Sequence, residues 1–338
     1  MKAAVYQGAQ RFEVQELPTP EPGPGQVLVQ VRRSAICGTD VHAFMYDIAP
    51  PGSVIGHEIA GVIAKVGPEV TRWSQGQRVV AGGGDPPPDL PNPMRANPRY
   101  NYRTMGFAGG VTGGYAEYQI LPQWRPTLIP DNVPDEVAAL TEPCSVAVHA
   151  VRRSAVKLGD TVAVLGAGPI GMLVLQAALA AGATRVIVSE PAPARAEAVL
   201  KLGADAVINP LEEDVVERLV ELTGGLGADV VFDCAGLKDT LNQAFDSTRR
   251  DGQVILVAVP WEPLPVDPVD WMAREVDFRV SFASQPEDWR IALDLLSSGR
   301  ISAAQLMSEA SFINLEDIQE TFEGLMKPSS QLQVVINL

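Results

Sequence analysis

The sequence predicts an α/β protein in which a β-rich first part is followed by a doubly wound parallel sheet. Three observations predict it. From Thr161 onward six short runs (TVAVL, RVIVS, DAVIN, DVVFD, QVILVAV and DFRVSF) are β-branched and almost continuously apolar, as strands buried on both faces are. Helical patterns such as PARAEAVLKLG and VVERLVELTGG lie between them, each ending at a glycine. Residues 1–80, by contrast, read as strands and turns. A length of 338 residues suits about two domains, and 46% hydrophobic with 20% charged residues is ordinary globular composition.

In chain order, MKAAVY and VLVQVRRSAI are strand candidates with PTPEPGPG as punctuation, and VIGHEIAGVIAKVG runs to a turn before Val79 and Val80. Between Pro86 and Pro98 six of thirteen residues are proline, which suits an irregular excursion. GFAGGVTGGYAEYQIL is glycine-rich and then returns to a strand. The strand–helix alternation follows. After about residue 285 come two helical segments and a terminal strand, QLQVVINL. No repeat of solenoid period is present.

Charge and cysteine usage exclude several classes of function. The formal net charge is −15, and the acid sits mainly in residues 151–338, with 27 acidic against 15 basic side chains. Such a surface makes nucleic acid and anionic membranes poor partners, so an anionic ligand must be held by a local device. Three cysteines (Cys37, Cys144, Cys234) without a C-x-x-C pair argue against a disulfide framework or a zinc finger and fit a reducing cytosol. No signal-length apolar run precedes Arg11 and Glu13. Thr161–Thr184 carries no charge over 24 residues, but Gly166, Gly168, Pro169 and Gly171 break it into a strand, a turn and a buried helix.

That turn, Gly166-Ala-Gly168-Pro169-Ile170-Gly171, is a G-x-G-x-x-G between a predicted strand and a predicted helix, and Glu190 follows Gly171 by 19 residues at the end of the next strand. The first glycine makes the tight turn, the second admits a pyrophosphate, and the third lets helix pack on strand. The helix N-terminus then offers N–H groups to phosphates. Glu190 is expected to accept from a ribose 2′-OH and to repel a 2′-phosphate, which favours NAD over NADP. Arg195 is the cation that works against this preference if it turns toward the ribose.

Three further motifs carry chemistry: Cys37-Gly-Thr39-Asp40-Val-His42, Gly56-His57-Glu58, and Thr141-Glu142-Pro-Cys144. Taken singly each has a bland reading: a buried small hydrophobe, a packed histidine, a helix start. Together, and with the glycine turn, they resemble the zinc-dependent medium-chain dehydrogenases over essentially the whole chain, and TEPCSVAVHAVRRS followed by GDTVAVLGAGPIG looks most like the polyol, butanediol and threonine branch. The resemblance implies a GroES-like catalytic domain at 1–145, a six-stranded Rossmann domain for NAD at 146–283, and a return to the catalytic domain at 284–338. It implies a zinc held by Cys37, His57 and either Glu142 or Glu58, with Glu58 exchanging with the metal if Glu142 is the ligand. Alcohol dehydrogenase is the standard Cys and His catalytic-zinc case, so the open fourth position is borrowed from that family. Thr39 would hydrogen-bond the alkoxide, His42 would receive its proton through the cofactor ribose, and Asp40 would fix the His57 ring.

The expected reaction is oxidation of a secondary alcohol, vicinal diol or polyol to the ketone; threonine or sugar oxidation is the alternative in the same branch. A zinc-free NADPH reductase and a non-catalytic relative are opposed by the metal, relay and Glu190 positions. His149, in the apolar run SVAVHAV, and Cys144 and Cys234 read as packed structural residues. Many relatives carry a second, structural zinc on four cysteines in the lobe here at 82–106. This chain has no cysteine there, so one zinc per chain is expected. Ala43 before Phe44 departs from the polyol-specific pattern, whereas GFAGGVTGGYAEY looks like the butanediol version. The family implies a homodimer or homotetramer, with DFRVSF at the sheet edge as the place where two copies pair.

Overall fold

A computed structural model describes residues 1–88, 113–327 and 331–338. Most of the Pro-rich lobe, from residue 89 on, therefore lies outside the described residues, as does the beginning of the glycine-rich run that follows it. The chain forms two compact units, Met1–Glu142 with Met307–Leu338, and Pro143–Leu306.

The first unit opens with β1 (Lys2–Gly8) and β2 (Arg11–Glu16), an antiparallel pair. Then come β3 (Gln26–Ala35), α1 (Gly38–Met45), β4 (Glu58–Val66), β5 (Arg78–Val80), β6 (Tyr118–Pro122), β7 (Thr127–Leu128) and α2 (Asp135–Ala138). Alternation in β3 turns Val27, Val29 and Val31 onto Ile59, Ile63, Val79 and Leu121, and this apolar layer holds the sheet. A second cluster gathers Tyr6, Phe12, Phe44, Tyr115 and Phe322. α3 (Thr141–Arg153) begins at the end of this unit.

The second unit alternates strand and helix: β8 (Thr161–Leu165), α4 (Pro169–Ala181), β9 (Arg185–Ser189), α5 (Pro193–Lys201), β10 (Ala206–Ile208), α6 (Val215–Leu222), β11 (Ala228–Asp233), α7 (Thr240–Ser247), β12 (Thr248–Leu256), α8 (Pro268–Ala273), β13 (Asp277–Val280) and α9 (Pro286–Ser297). The six strands form one parallel sheet in the order β10-β9-β8-β11-β12-β13. Strand order reverses beside β8, the switch point at which such sheets take ligands. β8 buries four of its five residues, and α4 opens with Pro169 and stops at Gly182, whose φ is 111°. The uncharged run Thr161–Thr184 is thus accounted for by β8, the turn and α4. Among the described residues no helix is long and apolar enough to cross a membrane.

The chain then returns to the first unit as β14 (Phe312–Asn314), α10 (Ile318–Leu325) and β15 (Val335–Asn337). β15 pairs with β3, setting Val335 opposite Ala35, and completes a seven-stranded mixed sheet in which β6 also pairs β3. This is the GroES-like plus Rossmann architecture expected from the sequence.

Candidate metal centre and dinucleotide turn

The β3–β4 ladder sets Ala35 opposite Glu58, so the chain leaving β3 and the chain entering β4 share one end of the sheet. Cys37, two residues past the end of β3, caps α1, where its Sγ accepts the Thr39 N–H at 3.4 Å. One donor atom each from Cys37, His57 and Glu58 lies within 4.8 Å of the other two. Glu142, at the start of α3, stands outside that tight set but close enough for its charge to act on Glu58.

Behind the cluster sits Asp40, fully buried, with Oδ1 3.4 Å from His57 Nδ1 and Oδ2 accepting the Tyr115 hydroxyl at 2.7 Å. The Gln333 amide donates to the Ile36 carbonyl at 2.9 Å and reaches Glu58 Oε2 at 3.4 Å. Burial pushes the Cys37 thiol up to about 11. Burial and then the charge of Glu142 push the Glu58 carboxyl up to about 8, and burial raises Glu142 as well. Burial alone lowers His57, but the charges of Asp40 and Cys37 hold its ring well above the usual value. Three carboxyls (Asp40, Glu58 and Glu142) and one thiol act on a single imidazole here, so a bound cation would offset the charge that Cys37 and Glu58 take on when they ionise. Sulfur, nitrogen and oxygen donors converging on one point fit a borderline-soft divalent ion such as zinc.

His42 and Thr39 ride on α1. His42 Nδ1 lies 2.7 Å from the Gly38 carbonyl, so Nδ1 carries the proton and Nε2 is the acceptor nitrogen. Burial lowers its pKa, which keeps the ring neutral near pH 7. Its ring stacks on Tyr46.

In the second unit the glycine turn meets each steric demand read from the sequence. Gly166 has φ +92°, and a Cβ on Gly171 would stand 1.9 Å from the Gly166 carbonyl oxygen. A Cβ on Gly168 would meet nothing within 4 Å. No side chain caps α4, whose first turn holds Pro169, Ile170 and Gly171. Glu190, almost buried at the end of β9, is pinned by two backbone N–H groups, Ala167 to Oε2 at 2.8 Å and Ala192 to Oε1 at 2.9 Å. Each oxygen keeps acceptor capacity for a hydroxyl. Arg195 is half-buried in the first turn of α5. An uncapped helix start, open space at Gly168 and a fixed carboxylate fit a dinucleotide.

His149 and Cys144 are buried, and His149 Nδ1 lies 2.7 Å from Asp288 Oδ2. Cys234 is half-buried. Two residues of the metal centre were missed from sequence, Tyr115 and Gln333. Tyr115 had one signal, a hydroxylated aromatic directly after Gly113-Gly114; Gln333 had none.

Residues 23–131 match the alcohol dehydrogenase GroES-like domain family and residues 169–298 the zinc-binding dehydrogenase family. The chain is 32% identical to (R,R)-butanediol dehydrogenase of Bacillus subtilis (strain 168), over 99% of each. It is 33% identical to L-threonine 3-dehydrogenase of Pyrococcus abyssi, covering 100% of this chain and 97% of the relative. Alcohol dehydrogenase TADH from Thermus sp. ATN1 superposes with a TM-score of 0.88 at 29% identity, over 100% of this chain and 99% of that one.

Proposed function

The chain belongs to the zinc-dependent medium-chain dehydrogenases, and on that premise we propose that it oxidises a secondary alcohol, vicinal diol or polyol to the ketone with NAD and one catalytic zinc per chain. The observation that carries this reading is the convergence of Cys37, His57 and Glu58. Cys37, His57 and Glu58 are assigned as the ligands, with Glu142 as the neighbouring carboxylate able to exchange for Glu58. The only three cysteines are 37, 144 and 234, so none is left for a second zinc in the 82–106 lobe.

A zinc held there supplies Lewis acidity that lets an alcohol ionise near neutral pH, and NAD supplies the hydride acceptor. The Thr39 hydroxyl is assigned to orient the substrate oxygen. His42, neutral and with Nε2 as its acceptor, is assigned to receive the released proton. The Gly166–Gly171 backbone and the α4 N-terminus hold the pyrophosphate, and Glu190 selects the 2′-hydroxyl over a 2′-phosphate. Arg195, in the first turn of α5, works against that preference if it turns toward the ribose, so its loss should strengthen the choice of NAD. Threonine and sugars are the other substrates to test, in line with the relatives' names. We further infer a homodimer or homotetramer working in the cytosol on small molecules, without nucleic acid or membrane.

The test is a panel of diols, polyols, threonine and simple alcohols with NAD or NADP, followed by NADH absorbance. Exhaustive chelation should cut the rate by ~100-fold or more, and added zinc should restore it. Full activity in metal-free protein overturns the zinc reading. A clear NADP preference overturns the role given to Glu190.

A further inference from the structure

The buried pair Tyr115–Asp40 is not used by the chemistry above. The Tyr115 ring is wholly buried, edge-on to Phe12 and Phe322 with centroids 6.5 and 6.0 Å away. Its backbone is fixed at both polar groups, the N–H donating to the Ile55 carbonyl and the C=O accepting from Ala4. The ring lies against Gly56, where a Cβ would stand 2.5 Å from its carbons and where φ is +95°. Gly56 immediately precedes His57. One aromatic ring therefore borders the backbone entering His57 and, through its hydroxyl, the carboxylate behind His57.

Asp40 is an acid with no solvent contact. Among the described residues, its Oδ2 has the Tyr115 hydroxyl as hydrogen-bond donor, and its Oδ1 faces His57 Nδ1. A carboxylate turns freely about its last torsion unless a donor holds one oxygen. We propose that Tyr115 is a positioning residue of the metal centre: its hydroxyl locks the Asp40 carboxylate, and Asp40 in turn holds His57 Nδ1 so that Nε2 is presented as the ligand. This rests on the zinc reading above. Outer partners of a metal-bound histidine fix its ring and tautomer, and their loss costs about 10–100-fold in metal affinity.

The experiment is zinc affinity by competition with a chromogenic chelator for the parent, Tyr115→Phe, Asp40→Asn and the double variant. Tyr115→Phe keeps the ring and removes the donor. It should bind zinc ~10-fold more weakly, and the double variant should bind no more weakly than Asp40→Asn alone, because the hydroxyl acts through that carboxylate. A Tyr115→Phe protein that holds zinc as tightly as the parent overturns the proposal, as does a loss that adds in full to that of Asp40→Asn. A second readout needs no variant: in the zinc-loaded parent, ring nitrogen NMR should show the His57 proton on Nδ1, and a proton on Nε2 overturns the proposal. A parent without zinc affinity, or Cys37→Ser binding zinc as tightly as the parent, removes the zinc reading itself. Tight parent binding with an unchanged Tyr115→Phe removes only the role of Tyr115.

Discussion

A methyl group added at Gly168 and one added at Gly171 should have opposite consequences, although both belong to the same six-residue turn. At Gly168 the new Cβ meets no atom of the chain, so Gly168→Ala should melt within ~0.5 kcal/mol of the parent. On the reading of this turn as a dinucleotide site, the same methyl would occupy the space through which a pyrophosphate approaches, and loss of one bond to a charged group should weaken cofactor binding by ~10-fold or more. At Gly171 the Cβ would stand 1.9 Å from the Gly166 carbonyl oxygen, so Gly171→Ala should destabilise the fold by about 1–3 kcal/mol. Thermal melts and a cofactor titration on both variants check the pair, and equal losses of stability would show that the two glycines do not divide the work this way. The turn was legible because its requirements are local: a strand, a tight bend, a helix start. Cys37, His57 and Glu58 were legible as residue types and spacings. Their backing was not, since Tyr115 lies 75 positions from Asp40 and Gln333 lies 275 from Glu58, and no local pattern carries such separations.

Among the elements, the join of α3 to α9 shows how one buried carboxylate serves two helices. Asp288 is the third residue of α9 and accepts the Gln285 N–H at 2.6 Å, closing that helix start. Its Oδ1 also takes Arg152 at 2.5 Å, and its Oδ2 lies 2.7 Å from His149, both on α3. Burial works to raise the Asp288 carboxyl, yet the bonds from His149 and Arg152 hold it below its ordinary value. A folded-state value below the unfolded one gives stability that is complete above the unfolded value, near ~3.9, and is lost as pH falls through the folded value. Asp288→Asn should therefore cost ~2–3 kcal/mol at pH 7, and its deficit against the parent should shrink as the pH drops below about 4. Urea unfolding of both proteins across this range measures it; a deficit unchanged down to pH 3 would mean that the charge of Asp288 is not what joins the helices. The sequence marked His149 as a packed histidine, but its partner lies 139 residues away, so the join itself was invisible.

At the scale of the whole molecule, the parallel sheet was the most legible part because each strand is declared by its own short run and helical patterns with glycine stops lie between those runs. The mixed sheet was legible only in pieces, since β15 pairs with β3 across most of the chain length and short β14 carries little apolar pattern. What the parallel sheet leaves unfinished is its edge. β13 is paired along one side by β12, all four of its residues are exposed, and Phe278, Val280 and Phe282 are 41%, 53% and 41% accessible. Native edges are usually blunted by charge, proline or a covering element. β13 carries Asp277 and Arg279, and Arg153 donates to the Val280 carbonyl at 2.9 Å, but the alternate residues Phe278 and Val280 leave one face of the strand apolar and exposed, where another strand can pack. Two copies meeting about a two-fold axis would place β13 against β13 antiparallel and bury those side chains in an isologous interface. Light scattering should then report two or four times the chain mass of 36.1 kDa. Each copy carries a net charge of −15, so long-range repulsion opposes the pairing and added salt, which shortens the Debye length to ~10 Å at 0.1 M, should tighten it. Val280→Arg puts a charge at the centre of the proposed contact on a side chain that the isolated unit leaves exposed. It should release monomers, or dimers from a tetramer, while the melting of the monomer's own sheet stays close to the parent's; a variant of unchanged mass would place the interface elsewhere.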